Sequence, residues 1–238
     1  MAFPDLYLPY AGLVDLSTRH PDNKLLAGRG LPGTHDLDLA RSTLNSVLEC
    51  NRDKRPLELP IFDKSQNGGK GDRSSSTVSV ETPIDVFILE GWSMGFQPLG
   101  RDLITRRYQQ ASSSRETSDP DHLVPAFLSH SLQSLLQVDE YLAAASKVLY
   151  PPFSLLIQIR PESYTYVYDW RRQQEHHMIA ARGTGMSDEE VDAFVGRYMP
   201  GYELWSECTE GEMGSRWKGN SLTLMYGKNR EVLSVELV

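Results

Sequence analysis

Two stretches of the chain carry the continuous apolar residues that are typical of buried strands. Residues 84–90 read Ile-Asp-Val-Phe-Ile-Leu-Glu, and residues 153–159 form a second run that is closed by Arg160 and Pro161. Continuous hydrophobicity, as opposed to alternation, predicts parallel strands that helices cover on both faces. The C-terminal segments 221–226 and 231–238 flank Gly-Lys-Asn-Arg, which predicts a strand–turn–strand element.

Amphipathic helices are predicted between these strands. The first carries an apolar stripe from Leu37 to Leu48, and the second covers roughly residues 122–148. A third helix follows the second strand, and a fourth follows a capping-box sequence. The residues expected to start or stop these helices are Thr34 or Asp36 for the first, Pro161 for the third, Ser187 for the fourth, and Pro200, which should kink or end the fourth.

Two polar stretches interrupt this alternation. Residues 64–77 contain no large apolar side chain, and residues 110–121 form a second, Ser-rich insert. We find no repeat and no linker between two cores, so residues 1–238 are expected to form one α/β domain. Residues 64–77 are interpreted as a mobile substrate loop. Their composition alone favours the alternative, a solvated loop without function.

Composition and charge exclude several classes of protein. The 238 residues include 24 Lys and Arg against 32 Asp and Glu, a net charge of -8 that argues against a nucleic-acid-binding protein. The apolar runs are far shorter than the roughly 18 residues of a membrane span, and no signal-peptide pattern is present. Cys50 and Cys208 form no CxxC pair, as in reduced intracellular proteins without structural zinc. We expect a cytoplasmic location, with the nucleus as an alternative.

A carboxylate at the end of a predicted parallel strand is the strongest single feature. Glu90 closes the first strand and precedes Gly91 and Trp92. Ligands bind outside the carboxyl ends of such strands, and a carboxylate there can hold Mg²⁺ or its water. The alternative is a glutamate that caps the next helix or pairs with a basic residue.

A glycine-rich loop at residues 28–36 reads Gly-Arg-Gly-Leu-Pro-Gly-Thr-His-Asp. Free N–H groups of the loop and of the following helix suit an anion, and Arg29 can bind carboxylate or phosphate in a bidentate manner. An ordinary turn before a capped helix is the alternative. His35 by itself is more often a structural histidine.

Positive charge also lies on the third predicted helix, at Arg171 and Arg172. In phosphoryl transfer a mobile arginine neutralises charge on the transferred group, whereas a basic helix face is usually only solvated. Pro161 and the glycines at 183 and 185 are expected to let this helix swing as one arm. Arg171 is then expected to be exposed and unpaired, so that its loss changes turnover and leaves stability unchanged.

Several familiar motifs are absent from the sequence. The phosphate-binding pattern GxxxxGK[ST] does not occur, because Gly71 follows Lys70 and Asn229 follows Lys228. HExxH, GxSxG and GxGxxG are also missing, which removes support for zincins, α/β-hydrolases and Rossmann dehydrogenases.

Short blocks in the right order nevertheless point to one family. They are residues 6–8, 23–30, 32–36, 62–65, 71–73, 88–92, 166–168, 170–171, 173, 185–191 and 197–198. Together they resemble the glycerate-kinase-like P-loop kinases of fungi and plants, relatives of uridine kinase and phosphoribulokinase. The resemblance implies an α/β fold with the parallel sheet of a P-loop kinase, helices on both faces, and without the first strand and the P-loop.

The chain departs from this family at its start. The family opens with a strand, the P-loop and its helix, and its second strand ends in Asp-Asp before an aromatic residue and Tyr; this chain starts with Phe-Pro-Asp-Leu-Tyr at 3–7. Pro4 stands where uridine-kinase relatives carry the carboxylate that takes the hydroxyl proton, and Asp5 retains the second position. We therefore expect an N-terminally truncated chain that is inactive alone, rather than an evolved pseudokinase.

The resemblance implies an ATP-dependent kinase that phosphorylates a hydroxyl of a small acid or sugar-like acceptor, with glycerate expected. ATP and Mg²⁺ are the implied cofactors, and neither nucleic acid nor membrane is an expected partner. The implied residues are Asp5, Glu90 and Arg171 for catalysis, with Glu90 also holding the metal; Tyr7, Arg29, Gly33, Thr34, His35, Asp36, Asp63, Lys64 and Arg73 for the acceptor; and Asn229 and Arg230 for the nucleotide. Residues 161–200 would form a lid and its following helix. A pseudokinase used for binding or scaffolding is the alternative; a metal-dependent hydrolase built on Asp36, Asp63 and Glu90 lacks supporting ligand spacing.

Overall fold

The structure is a computed structural model that describes residues 1–116, 124–206 and 217–237. Its helices are α1 (Tyr10–Arg19), α2 (Leu37–Asp53), α3 (Arg101–Glu116), α4 (Leu132–Leu149), α5 (Tyr166–Arg182), α6 (Asp188–Gly196) and α7 (Met199–Trp205). Its strands are β1 (Leu57–Asp63), β2 (Asp72–Val80), β3 (Leu156–Pro161), β4 (Ser221–Tyr226) and β5 (Val232–Leu237). The expected α/β class is confirmed.

The strands form two separate sheets. Strand β3 pairs with β4 in parallel, and β4 pairs with β5 in antiparallel orientation, which confirms the strand–turn–strand element at the C-terminus. Strands β1 and β2 form an antiparallel hairpin that the sequence pattern did not predict. Because β2 begins at Asp72, only residues 64–71 remain as a loop of the polar stretch 64–77.

The prediction of a buried strand at residues 84–90 is wrong. This segment makes one parallel bridge, between Glu90 and Ala2, with Phe3 N donating to Glu90 O at 2.6 Å. Val86 and Ile88 are 74% and 69% exposed. No strand among the described residues pairs with this segment along its other edge, so the segment does not become part of a sheet.

Local helix signals give a mixed outcome. Asp36 caps α2 by accepting from Leu39 N at 2.9 Å, and the capping box of Ser187 begins α6. Pro161 is the last residue of β3 and not the first of a helix, because its backbone continues the ladder to β4. Pro200 lies in the first turn of α7, where its missing N–H costs nothing.

The helical segment of residues 101–150 also differs from expectation. The predicted helix at 122–148 begins only at Leu132, after a 3-10 turn at Ala126–Ser129. Residues 110–116 of the predicted polar insert belong to α3. The rest of that insert, 117–121, and Cys208 lie outside the described residues.

Two apolar cores hold the elements together. One packs Leu16 of α1 and Leu135 of α4 against Trp205 of α7. The other joins Phe3, Leu44 of α2 and further side chains of α4 beneath the segment that ends at Glu90. Both cores lie behind the loops that carry the candidate site and fix the positions of those loops.

One face of the three-stranded sheet carries apolar side chains that no described residue covers. The register aligns Ile157 of β3 with Leu222 of β4 and Leu237 of β5, so these three side chains share one face. Ile157 is 65% and Leu237 is 79% exposed. Val86 and Ile88 add further exposed apolar surface. Within the described ranges, no helix is long and apolar enough to cross a membrane.

Candidate functional site

The glycine-rich loop at residues 28–36 is held by its own hydrogen bonds. The hydroxyl of Thr34, which is fully buried, accepts from Gly30 N at 3.0 Å and donates to Leu31 O at 2.7 Å. Gly33 has φ +101°, and a Cβ there would lie 2.6 Å from the Tyr141 ring. Because the loop uses these amides internally, and Asp36 occupies an amide of the helix start, the expected cradle of free N–H groups is only partly available.

His35 lies in an aromatic stack at the end of this loop. Its ring centroid is 3.9 Å from that of Phe3 and 4.5 Å from that of Tyr7. His35 is 6% exposed, and burial lowers its pKa to about 3, so the imidazole is neutral. Its Nε2 atom has no hydrogen-bond partner in the part of the chain that the structure describes. Burial also raises the pKa of Tyr7, which stays a neutral phenol.

Arg73 contacts two other predicted acceptor residues. Its Nη1 lies 3.0 Å from Asp36 Oδ2, and its Nη2 donates to the main-chain oxygen of Tyr7. Both partners of the ion pair are mostly shielded from solvent. The hairpin strand β2 thus carries Arg73 to the start of α2, and residues from three separate segments meet at one place.

Arg29 connects the glycine loop to the turn of the hairpin. Its Nη1 donates to Gly69 O at 2.8 Å and to the main-chain oxygen of Lys70, and its guanidinium lies 5.9 Å from the centre of the Phe62 ring. Phe62 in turn contacts Tyr7 edge to face. The hairpin turn is therefore tied to the site by this one arginine.

Asp63 and Lys64 stand at the start of the same turn. Asp63 Oδ1 accepts from Ser65 N at 2.9 Å and from Ser65 Oγ at 2.6 Å, and the Ser65 hydroxyl is the main cause that lowers the pKa of Asp63. These bonds organise the turn itself. Lys64 is exposed. The structure does not bring either side chain into the cluster around Tyr7 and Arg73.

Two carboxylates mark the adjacent edge. Asp5 follows the segment that bridges to Glu90, and its Oδ1 accepts from Phe62 N at 3.2 Å. Glu90 is exposed and makes no side-chain hydrogen bond or ion pair with a described residue. Proteins often hold Mg²⁺ through one or two carboxylates, and oxygens of the substrate and of water complete the shell. The free carboxylate of Glu90 is a suitable ligand of this kind. No group of three or more His, Cys, Asp or Glu among the described residues could hold a metal by itself.

Helix α5 does not present Arg171 as a free side chain. Its Nη2 lies 2.8 Å from Glu175 Oε2, its Nη1 donates to Gln174, and the guanidinium stacks over Phe194 of α6. The expectation of an exposed, unpaired arginine is therefore wrong. The i,i+4 spacing from Arg171 to Glu175 was the sequence signal that could have predicted this pair.

Glu175 is a residue that the sequence analysis missed. Its side chain is 1% exposed, and Oε1 accepts from Met186 N at 2.9 Å in the segment between α5 and α6. A Cβ on Gly185 would lie 2.8 Å from the same oxygen. Glu175 thus fixes Arg171 and the helix junction together.

Asn229 and Arg230 lie in the turn between β4 and β5. Both are exposed, and Arg230 has φ +64°. Its guanidinium lies 5.4 Å from the centre of the Trp170 ring, and its Nη1 donates to Gln173 of α5 at 2.9 Å. The structure brings this turn to the helix that carries Arg171 and does not bring it to the acceptor cluster in the part of the chain that is described.

The arrangement combines three chemical capacities. Arg29 and Arg73 supply positive charge, and His35 and Tyr7 supply neutral polar rings within an apolar stack. Glu90 supplies a free carboxylate at the neighbouring edge. Such a set can orient a small anionic molecule and neutralise charge, which is what phosphoryl transfer requires.

Comparison with known proteins gives several close matches. No family model matches the chain. It is 36% identical over 239 residues to the probable ATP-dependent kinase TDA10 of Saccharomyces cerevisiae, covering 98% of this chain and 74% of the yeast protein. It is 33% identical to the chloroplastic D-glycerate 3-kinase of Arabidopsis thaliana, covering 89% of this chain and 42% of that protein. The solved structure of a D-glycerate 3-kinase from Cryptococcus neoformans superposes with a TM-score of 0.91 at 40% identity, covering 100% of this chain and 79% of that one.

Proposed function

The chain belongs to the glycerate-kinase-like family of ATP-dependent kinases, and on that premise we propose that it acts on a hydroxyl group of a small hydroxy acid, D-glycerate. The observation that carries the proposal is the meeting of three separate segments at one site: Tyr7 near the start of the chain, Arg29 and His35 of the glycine loop, and Arg73 of β2. These segments match the blocks by which the sequence resembles the family.

The acceptor is held by the glycine loop and the hairpin in this proposal. Arg29 binds the acid group, because a guanidinium matches a carboxylate with two parallel hydrogen bonds. Arg73 and Asp36 form a fixed pair that borders the acceptor. Asp5, the carboxylate that remains beside this site, takes the proton of the reacting hydroxyl.

The phosphoryl side of the reaction is assigned to other residues. Glu90 holds Mg²⁺ through its free carboxylate, and the ion supplies charge neutralisation on the phosphate oxygens. Arg171 approaches from the α5 side and neutralises charge that develops on the transferred group. Asn229 and Arg230 border the nucleotide near the start of α5, on the same part of the helix as Arg171.

We further propose that binding of the ATP phosphates needs groups beyond these 238 residues. The phosphate-binding pattern GxxxxGK[ST] is absent from the sequence. The exposure of Ile157 and Leu237 among the described residues agrees with this, because large exposed apolar patches usually mark a surface that another segment covers.

Calorimetry with the purified chain tests this assignment. We expect heat of binding with D-glycerate and no saturable binding of ATP–Mg²⁺ at micromolar concentration, because backbone amides and a lysine normally hold the phosphates. A micromolar dissociation constant for ATP–Mg²⁺ would contradict the division of the site. Binding of neither ligand to the folded chain would contradict the acceptor assignment.

A further inference from the structure

The corner between α6 and α7 brings a second arginine to the glycine loop. Arg197 is 168 residues away from Arg29 in the chain, yet its Nη2 donates to the main-chain oxygen of Arg29 at 3.4 Å. The same nitrogen lies 3.9 Å from the position of a Cβ on Gly28. Tyr198 packs over Gly30, where a Cβ would lie 2.8 Å from its hydroxyl. The absence of a side chain at Gly30 is what lets Tyr198 and the corner approach the loop.

Neither Arg29 nor Arg197 has a carboxylate at ion-pair distance among the described residues. In contrast, Arg73 and Arg171 each pair with an acidic side chain. Two guanidinium groups that share this loop without a counter-charge repel each other, and an anion bound by both removes that repulsion. Both keep N–H donors that no described side chain accepts from, in the fork geometry that suits a carboxylate.

The same positive charges affect the pKa of Tyr198. Burial raises the pKa of its phenol, and the positive charges of Arg197, Arg29 and Arg171 oppose that rise. Arg29 and Arg197 act on the phenol of Tyr7 in the same sense. Arg29 and Arg197 therefore both lie within electrostatic reach of these two phenols.

We propose that Arg197 binds the carboxylate of the acceptor together with Arg29 and so selects acids over neutral polyols. The inference rests on the proposed function and deepens it, because it adds a specificity-determining residue that the sequence analysis did not assign. Arg197 reaches the acid group from the α6–α7 corner, and Arg29 reaches it from the glycine loop.

Binding measurements on single variants of the full chain test the inference. Arg197→Gln removes the charge and the guanidinium fork but keeps a shorter polar side chain with N–H donors, and Arg19→Gln is the control in an exposed pair on α1. We expect Arg197→Gln to weaken D-glycerate binding by about tenfold or more, as for the loss of a charge-assisted hydrogen bond. Thermal melting and the weak binding of glycerol should not change. Arg197→Lys should restore part of the affinity, because it keeps the charge and loses the fork.

The outcomes separate this inference from the proposed function. If the unmodified chain and Arg197→Gln bind D-glycerate equally, the inference is overturned and the function stands. If the unmodified chain binds inorganic phosphate but not D-glycerate, and Arg197→Gln loses phosphate, the anion site stands and the acceptor assignment falls. If the folded chain binds neither anion, both fall.

Discussion

His35 illustrates at the scale of one residue how burial sets a protonation state. The neutral imidazole between Phe3 and Tyr7 has a pKa of about 3, against about 6.5 when the chain is unfolded. Below pH 6.5 the unfolded chain binds a proton that the folded chain does not bind. The free energy of unfolding must therefore fall as the pH falls from 6.5 toward 3.

A substitution isolates this contribution. His35→Phe keeps a flat ring in the stack and removes the titration. Between pH 7.5 and pH 5.0, we expect the unmodified chain to lose about 2 kcal/mol more stability than His35→Phe. Urea unfolding at the two pH values measures this difference. Equal losses in the two proteins would mean that His35 is protonated in the folded state.

Arg171 gives a second prediction at the same scale. Its partner Glu175 is almost fully buried, so Arg171→Ala leaves a buried carboxylate without its counter-charge. We expect a loss of stability of up to about 3 kcal/mol. The double variant Arg171→Ala with Glu175→Gln should lose less than the sum of the single variants, because the stranded charge is gone. Chemical unfolding of the unmodified chain, the two single variants and the double variant measures the coupling free energy. Strictly additive losses of stability would contradict an interaction between Arg171 and Glu175.

At the scale of elements, side-chain contacts hold α5 and α6 together, although the glycines at 183 and 185 between them predicted a flexible joint. Arg172 makes a two-pronged contact with Asp192, at 2.9 and 2.7 Å, and His176 lies 2.7 Å from Asp188. Gly185 permits a close approach and does not act as a free joint. If residues 161–200 move as a lid, these contacts carry both helices together.

Gly185→Ala tests this packing. Its Cβ would lie 2.6 Å from Ile179 Cγ1, so we expect a loss of about 1 to 3 kcal/mol. Gly12→Ala in α1 is the control, since its nearest contact is 3.4 Å and alanine favours helix by up to about 1 kcal/mol. Thermal unfolding compares them. A Gly185→Ala protein as stable as the unmodified chain would show that the junction is open.

The elements also show which structural features can be predicted from the sequence. The cap at Asp36 and the capping box at Ser187 depend on contacts within a few residues, and both predictions are confirmed. The segment 84–90 and the hairpin of β1 and β2 depend on which strands pair, which no local pattern states. The Arg197 contact with the glycine loop spans 168 residues and could not be predicted from the sequence pattern.

For the whole molecule, the cluster of Arg29, His35 and Arg73 and the exposed apolar sheet face lead to one interpretation. Our proposal places the acceptor at this cluster, whereas the side chains of Ile157 and Leu237 on the sheet are exposed among the described residues. A kinase needs both a held acceptor and a held triphosphate. We therefore propose that the described residues hold the acceptor and that the ATP phosphates are bound by other groups.

Phosphoryl transfer by a fused protein measures this central claim most directly. The part of the Cryptococcus D-glycerate 3-kinase that lies outside the match would be joined to residues 1–238, and ³¹P NMR would follow ATP with D-glycerate and Mg²⁺. We predict a phosphoglycerate signal that grows at the expense of ATP and is lost by about two orders of magnitude in Glu90→Gln. A folded fusion that binds ATP–Mg²⁺ and forms no phosphoglycerate would contradict the account.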